Sequence, residues 1–237
     1  MDKSGLAFEA AAIVTDSAGI ESASRKIGEV KITDVKISRA ASVRTGKRFG
    51  RYITLEGAPY AQGMSSLLRR ALEQVIPPRG RIFAVGLGNP DITQDRLGAA
   101  VIRSVTVSHG GKYSLCALET DVMVKTGLET ARLVKAAARE FRADCVIAVD
   151  ALTCNAPKYI GKTVQVSDAG IIPGSGVTAA RDELSRERLG IPVAAVGVPT
   201  VAAYRQENGF MIAPADSDAL VKIWTEVIAG AIDEIVG

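Results

Sequence analysis

Hydrophobic and polar positions change rhythm twice along this chain. Val30-Lys31-Ile32-Thr33-Asp34-Val35-Lys36-Ile37 alternates apolar and polar residues, the pattern of a strand with one wet face. Tyr52-Ile53-Thr54-Leu55 reads as its antiparallel partner, and the polar, basic stretch between them, Ser38–Gly50, reads as a loop. Over Gln62–Ile76 the spacing becomes helical: Met64, Leu67, Leu68, Ala71, Leu72 and Val75 share one stripe, which Pro77-Pro78-Arg79-Gly80 ends. Beyond that point short apolar runs alternate with helical segments. Ile82–Leu87, Cys145–Val149 and Pro192–Val198 have the near-continuous hydrophobicity of strands buried on both faces. Asp95–Val105, Leu128–Phe141, Thr178–Arg188 and Ser217–Val236 read as helices, and Thr163–Val166 as a short strand at an edge or flap.

Buried strands alternating with helices predict an α/β fold, a mostly parallel sheet sandwiched by helices, with an N-terminal antiparallel extension. The expectation is a single α/β domain over 1–237, residues 1–60 forming the strand extension and 61–237 the core. At 237 residues such a chain buries a substantial core without disulfides or metals.

Charge and cysteine content narrow the classes. The net charge of +3 is small and the basic residues do not gather in one run, so direct nucleic-acid or membrane binding is not implied. Cys116, Cys145 and Cys154 form no CxxC pair and leave one unpaired, which favours a reducing, cytoplasmic setting. The N-terminal apolar stretch is too short for a secretory signal, and no run of about 18 apolar residues predicts a membrane span.

In open α/β sheets, ligands bind beyond the carboxyl ends of the strands. Two acidic residues fall there. Asp150 follows the Cys145–Val149 strand, and Asp95 follows the Ile82–Leu87 strand by one loop, Gly88 to Gln94, at the start of a helix. Were those strands neighbours, the carboxylates would share a cleft. One would then hold a proton, and the pair could activate water and protonate a leaving amine. The competing reading for each Asp is a helix cap or a loop anchor. Gly86-Leu87-Gly88-Asn89 makes a tight strand-to-helix turn but lacks the third glycine of a dinucleotide fingerprint. Gly170–Gly176, with Gly174, Ser175 and Gly176, could present free N–H groups to a substrate carbonyl, or the glycines only permit positive φ. Asp168 precedes that loop as an orienting residue, a substrate contact or an ordinary turn residue. The sole histidine, His109, reads as a surface loop residue, and Cys154 as an incidental thiol. Glu119 and Asp121, with Asp95 and Asp150, could offer oxygens to a metal. A zinc site of the usual kind is disfavoured, and no cofactor is called for.

Several ordered blocks strongly resemble the spore germination protease family: Gly86-Leu87-Gly88-Asn89 with Thr93-Gln94-Asp95-Arg96-Leu97-Gly98, then Val149-Asp150-Ala151-Leu152, then Gln165 through Val177, then Gly197-Val198-Pro199-Thr200-Val201. Leu6–Ala10 and Gly50–Glu56 extend the resemblance towards the N-terminus. It implies an atypical aspartic endopeptidase acting on small acid-soluble spore proteins in the spore core. It also implies a phosphorylase/hydrolase-like fold, zymogen activation and a homotetramer. By motif, the two essential aspartates fall on Asp95 and Asp150, and Gly88, Asn89, Asp168 and Gly174–Gly176 become substrate-binding candidates. The chain departs from the family in its shorter length, in Gln94 where a proline is usual, in the segment after Val201, and in having five residues before the matching part. Two alternatives stay open. Gly86–Pro90 also matches the opening motif of peptidyl-tRNA hydrolases, which would have to use His109. The trimmed segments are the motive for a further alternative, a non-catalytic binding protein on the same fold.

Overall fold

The structure, a computed structural model, describes residues 4–172, 183–204 and 210–237, without the side chains of Val124 and Tyr204. Its elements, in chain order, are α1 (Ala7–Ala12), β1 (Ile20–Ile27), β2 (Val30–Ile37), α2 (Arg39–Thr45), β3 (Gly50–Glu56), α3 (Met64–Glu73), β4 (Gly80–Gly86), α4 (Leu97–Ser104) and β5 (Tyr113–Glu119). They continue with α5 (Met123–Thr126), α6 (Thr130–Phe141), β6 (Cys145–Cys154), β7 (Thr163–Ser167), α7 (Arg186–Leu189), β8 (Val193–Tyr204), β9 (Phe210–Ile212) and α8 (Ser217–Val236).

Among the described residues the strands form one sheet in the order β1-β2-β3-β7-β8-β6-β4-β5, with β9 pairing β8. Strands β5, β4, β6 and β8 run parallel; β7, β3, β2 and β1 continue the sheet through antiparallel ladders. The parallel half is covered on both faces, as parallel strands require. Helices α3, α4 and α8 pack Leu68, Leu72, Val101, Trp224, Ile228 and Ile232 on one face, against Ile82, Ala84, Ile147, Val149 and Val196. On the other face α6 packs Ala131, Val134 and Ala138 on Phe83, Val85, Val146 and Ala148. The fully buried indole of Trp224 donates its N–H to the Gly161 carbonyl at 2.8 Å, so the largest core side chain leaves no orphan donor.

The α/β architecture with an N-terminal antiparallel extension is as the sequence predicts, but several elements differ. Ser38–Gly50 is not all loop: Ser38 Oγ accepts the Ala41 N–H, Gly46 closes α2 in the left-handed region, and α2 buries only Ala41 and Thr45, too little for a visible stripe. Thr163–Ser167 is no edge strand. It lies between β3 and β8 with every residue buried. Strands β1, β5 and β9 are not anticipated by the sequence pattern; β1 is an edge strand exposed along nearly its whole length, so it shows no alternation. Of the helix expected over Thr178–Arg188, residues 178–182 lie outside the described residues, and the remainder contributes only to the short α7, capped by Ser185. Strand β6 runs past Asp150 to Cys154.

The N-terminal segment lies on the α6 side of the antiparallel half. Ala7 packs with Val35, Ile37 and Tyr52. Gln165 grips the segment's backbone, accepting from Ala7 N at 2.8 Å and donating to Gly5 O at 3.2 Å. The buried Glu9 carboxylate accepts the Asn155 and Ala156 N–H groups at 2.9 and 3.0 Å.

Candidate active site

Asp150 occupies a notch made by unequal strand lengths. Strand β4 ends at Gly86, opposite Val149, while β6 and β8 continue as a pair in which Asp150 faces Gly197. The side chain thus stands beside the point where β4 stops and the chain turns off towards α4. Two glycines allow the helix to reach that point. A Cβ on Gly98 would overlap Leu87 backbone and the Val149 carbonyl oxygen, and one on Gly86 would overlap the Gly98 carbonyl. Without side chains there, the first turn of α4 sits directly on the ends of β4 and β6.

The loop before α4 carries Asp95. Its backbone N–H donates to Ile92 O at 2.8 Å, and its Oδ2 accepts the Asn89 backbone N–H at 2.7 Å. Gly88, at φ +100°, passes so close that a Cβ would overlap the Asp95 carbonyl oxygen and lie 3.1 Å from Asp95 Oδ1. Thr200 on β8, only 2% exposed, donates its hydroxyl to the Gln94 carbonyl at 2.7 Å, tying this loop to the strand beside Asp150. Sequence reasoning missed Thr200 as a contributor, although it stands in the Gly197–Val201 block. A buried Thr near the carboxyl end of a strand was the available signal.

The two carboxyl groups feel one another. Asp150 is 5% exposed, and burial above all pushes its pKa well above the carboxylate range; the negative charge of Asp95 pushes it further the same way. The Ala151 N–H, which donates to Asp150 Oδ1 at 2.9 Å, opposes the shift. Burial and a like charge together favour the protonated acid at Asp150.

A cavity of about 140 Å³ lies on the same face of the sheet. Its lining includes Gly197 and Gln165, which continue the cross-strand row of Asp150, together with Leu152, Ser167, Ala195 and Ile171. Directly paired residues share a face, so the cavity lies on the face of the sheet that carries Asp150, with the Leu152 side chain packed over Gly197. Gly170 and Ile172 also border it, whereas Gly174, Ser175 and Gly176 lie outside the described residues.

The remaining candidates are dispersed. Asp168 is exposed beyond the end of β7, where its Oδ1 accepts the Arg51 N–H at 2.6 Å. Because β7 runs against β8, that position is at the opposite end of the sheet from Asp150. His109, exposed in the segment entering β5, stands at that same far rim. Cys154 is fully buried, and burial pushes its thiol up to about 12. Glu119 pairs with Arg103 and Asp121 with Lys125; among the described residues no group of three or more His, Cys, Asp or Glu is placed to hold a metal. No described helix is long and apolar enough to cross a membrane.

The fold thus places two carboxyl groups that influence one another near the carboxyl ends of the parallel strands of an α/β sheet. The chain belongs to the germination protease family, whose model matches residues 7–206. The germination protease of Bacillus velezensis is 36% identical, over 75% of this chain and 54% of its own length. That of Bacillus subtilis is 32% identical, over 84% of this chain and 60% of its own. The chain therefore spans little more than half the length of the curated relatives it matches. Among solved structures, a NiFe hydrogenase maturation protease from Thermococcus kodakarensis aligns over 70% of this chain and 97% of its own, at 22% identity and a TM-score of 0.43.

Proposed function

We propose that the protein is an endopeptidase that hydrolyses small acid-soluble spore proteins, with Asp95 and Asp150 as its catalytic pair. The observation that carries the reading is the buried Asp150 carboxyl, held towards its acid form by burial and by the charge of Asp95, in a chain of the germination protease family. In this scheme the ionised Asp95 takes a proton from a water whose oxygen attacks the scissile carbonyl carbon. Asp150 gives its proton to the amide nitrogen as the C–N bond breaks, and the proton gained by Asp95 restores the pair through solvent. Gly88 and Asn89 shape the loop that holds Asp95. The cavity beside Gly197 takes a substrate side chain, and Gly174–Gly176 and Asp168 are the remaining substrate-binding candidates. A single α/β peptidase domain over 1–237, activation from a zymogen, tetrameric assembly and action in the cytoplasm of the spore core belong to the same proposal.

The test is cleavage of a purified small acid-soluble spore protein. Asp95→Asn and Asp150→Asn are each expected to abolish it while circular dichroism stays that of the wild type. Full activity in both variants rules out the carboxyl pair.

A further inference from the structure

A second feature lies on the rim that carries Asp150. A groove of about 690 Å³ opens between the β1–β2 turn, the end of β3 and the β6–β7 loop. Five exposed cations line it, Arg25, Lys26, Lys31, Lys158 and Lys162, against two carboxylates, Glu29 and Glu56. Lys31 lies 3.9 Å from Glu56; the other four cations make no ion pair within 4.0 Å among the described residues. Lys26 and Lys31 are direct cross-strand partners, a like-charge pairing that costs stability and that a bound anion would relieve. Concave, low-dielectric walls concentrate the field of such a cluster.

The sheet register relates this groove to the candidate active site. The cross-strand row of Asp150 passes through Gly197, Gln165, Thr54, Thr33 and Ser24. Lys31 and Lys26 are two residues from Thr33 and Ser24, so their side chains lie on the face of the sheet that carries Asp150. Lys31 is four strand spacings from Asp150, roughly 19 Å, and Lys26 is five, roughly 24 Å, so a peptide that runs along the rim past the N-terminal segment needs at least about seven extended residues. The β6–β7 loop, carrying Lys158 and Lys162, begins where the strand of Asp150 ends.

We propose that this groove is an exosite for an acidic stretch of the polypeptide substrate, engaged while the scissile bond lies at Asp95 and Asp150. The proposal rests on the peptidase reading above. A polypeptide suits the groove better than a nucleic acid does. Glu29 and Glu56 stand inside it and would repel a continuous phosphate backbone, whereas a peptide can place its acidic side chains between them.

The test reads binding and cleavage separately. A fluorescein-labelled glutamate-rich peptide is titrated by anisotropy into the full Asp150→Asn chain and into the same chain with Lys158→Gln and Lys162→Gln. A glutamine-for-glutamate peptide and an oligothymidylate serve as controls. The glutamate peptide is expected to bind, with affinity falling about tenfold in the charge-depleted chain and with added salt, and the glutamine peptide is expected not to bind. In the otherwise wild-type chain, Lys158→Gln with Lys162→Gln is expected to raise KM, at unchanged kcat, for a substrate bearing an acidic extension, and to leave the same substrate without the extension unaffected. Equal binding of both peptides, no effect of the two substitutions, or groove-dependent binding of the oligothymidylate alone overturns the exosite. Absence of cleavage by the wild type, with salt-sensitive peptide binding retained, overturns the peptidase reading and leaves the acidic-peptide site standing.

Discussion

Gly88→Ala addresses how the loop holds Asp95, and a matched control separates two physical effects. Gly88 and Gly110 have nearly the same backbone angle, φ +100° and +102°, but differ in surroundings. Around Gly110 a Cβ meets nothing within 4 Å, whereas at Gly88 it overlaps the Asp95 carbonyl oxygen. Gly110→Ala therefore reports backbone strain alone, about 1–2 kcal/mol. Gly88→Ala adds an overpacking cost of about 1–3 kcal/mol, because the obstructing atom is backbone and can yield only if the loop moves. In a chain of this size the control should lower Tm by roughly 2–8 °C and Gly88→Ala by roughly 4–20 °C. Under the proposed mechanism the two should diverge further in peptide hydrolysis: Gly110→Ala keeps wild-type rates, while a displacement near 1 Å at Asp95 lowers kcat by about 100-fold. Thermal unfolding followed by circular dichroism and a cleavage assay below both melting points supply the readouts. Equal Tm losses and equal rates in the two variants would refute the reasoning that Gly88 is there to let Asp95 approach.

The site and the core around it set three further outcomes. Asp150 has a raised pKa in the fold, so its contribution to stability is full below the ordinary carboxylate value near 4 and is lost as pH climbs towards its folded pKa. Asp150→Asn should accordingly match the wild type in acid and become the more stable protein as pH rises to neutrality; urea melts giving the same difference at every pH would contradict this. Thr200→Val keeps the side-chain shape but removes the donor to the Gln94 carbonyl, costing about 1–3 kcal/mol. It should lower kcat more than it raises KM, with Thr200→Ser restoring activity, and unchanged kinetics would show that the tie does not position Asp95. Burial raises the Cys145 and Cys154 thiols to about 12, while Cys116 is partly exposed. Iodoacetamide at mildly alkaline pH should label Cys116 first in the native protein, and rapid modification of Cys154 would contradict the packing around Leu6 and Ala202.

Local pattern was enough for elements whose burial is periodic. The stripe of α3 and the apolar runs of β4, β6 and β8 each bury residues at the spacing that their backbone geometry imposes, so the α/β class could be read directly. Both aspartates could be singled out because strand ends in such sheets are predictable places for polar groups. Strand β1 could not, since an edge exposed on both faces leaves no alternation; nor could the central place of β7, because strand order is set by long-range pairing that no window of sequence contains. The same limit applies at the site. Asp95 and Asp150 are 55 residues apart in the chain, and what brings them into one field is the seating of Gly98 on the ends of β4 and β6, with Thr200 holding the intervening loop. The sequence alone determined which residues could carry the chemistry, because residue type and periodicity are local properties. Tertiary structure alone decided which of them act on one another, because electrostatic coupling depends on distance and burial, and both arise only when separated strands pack side by side.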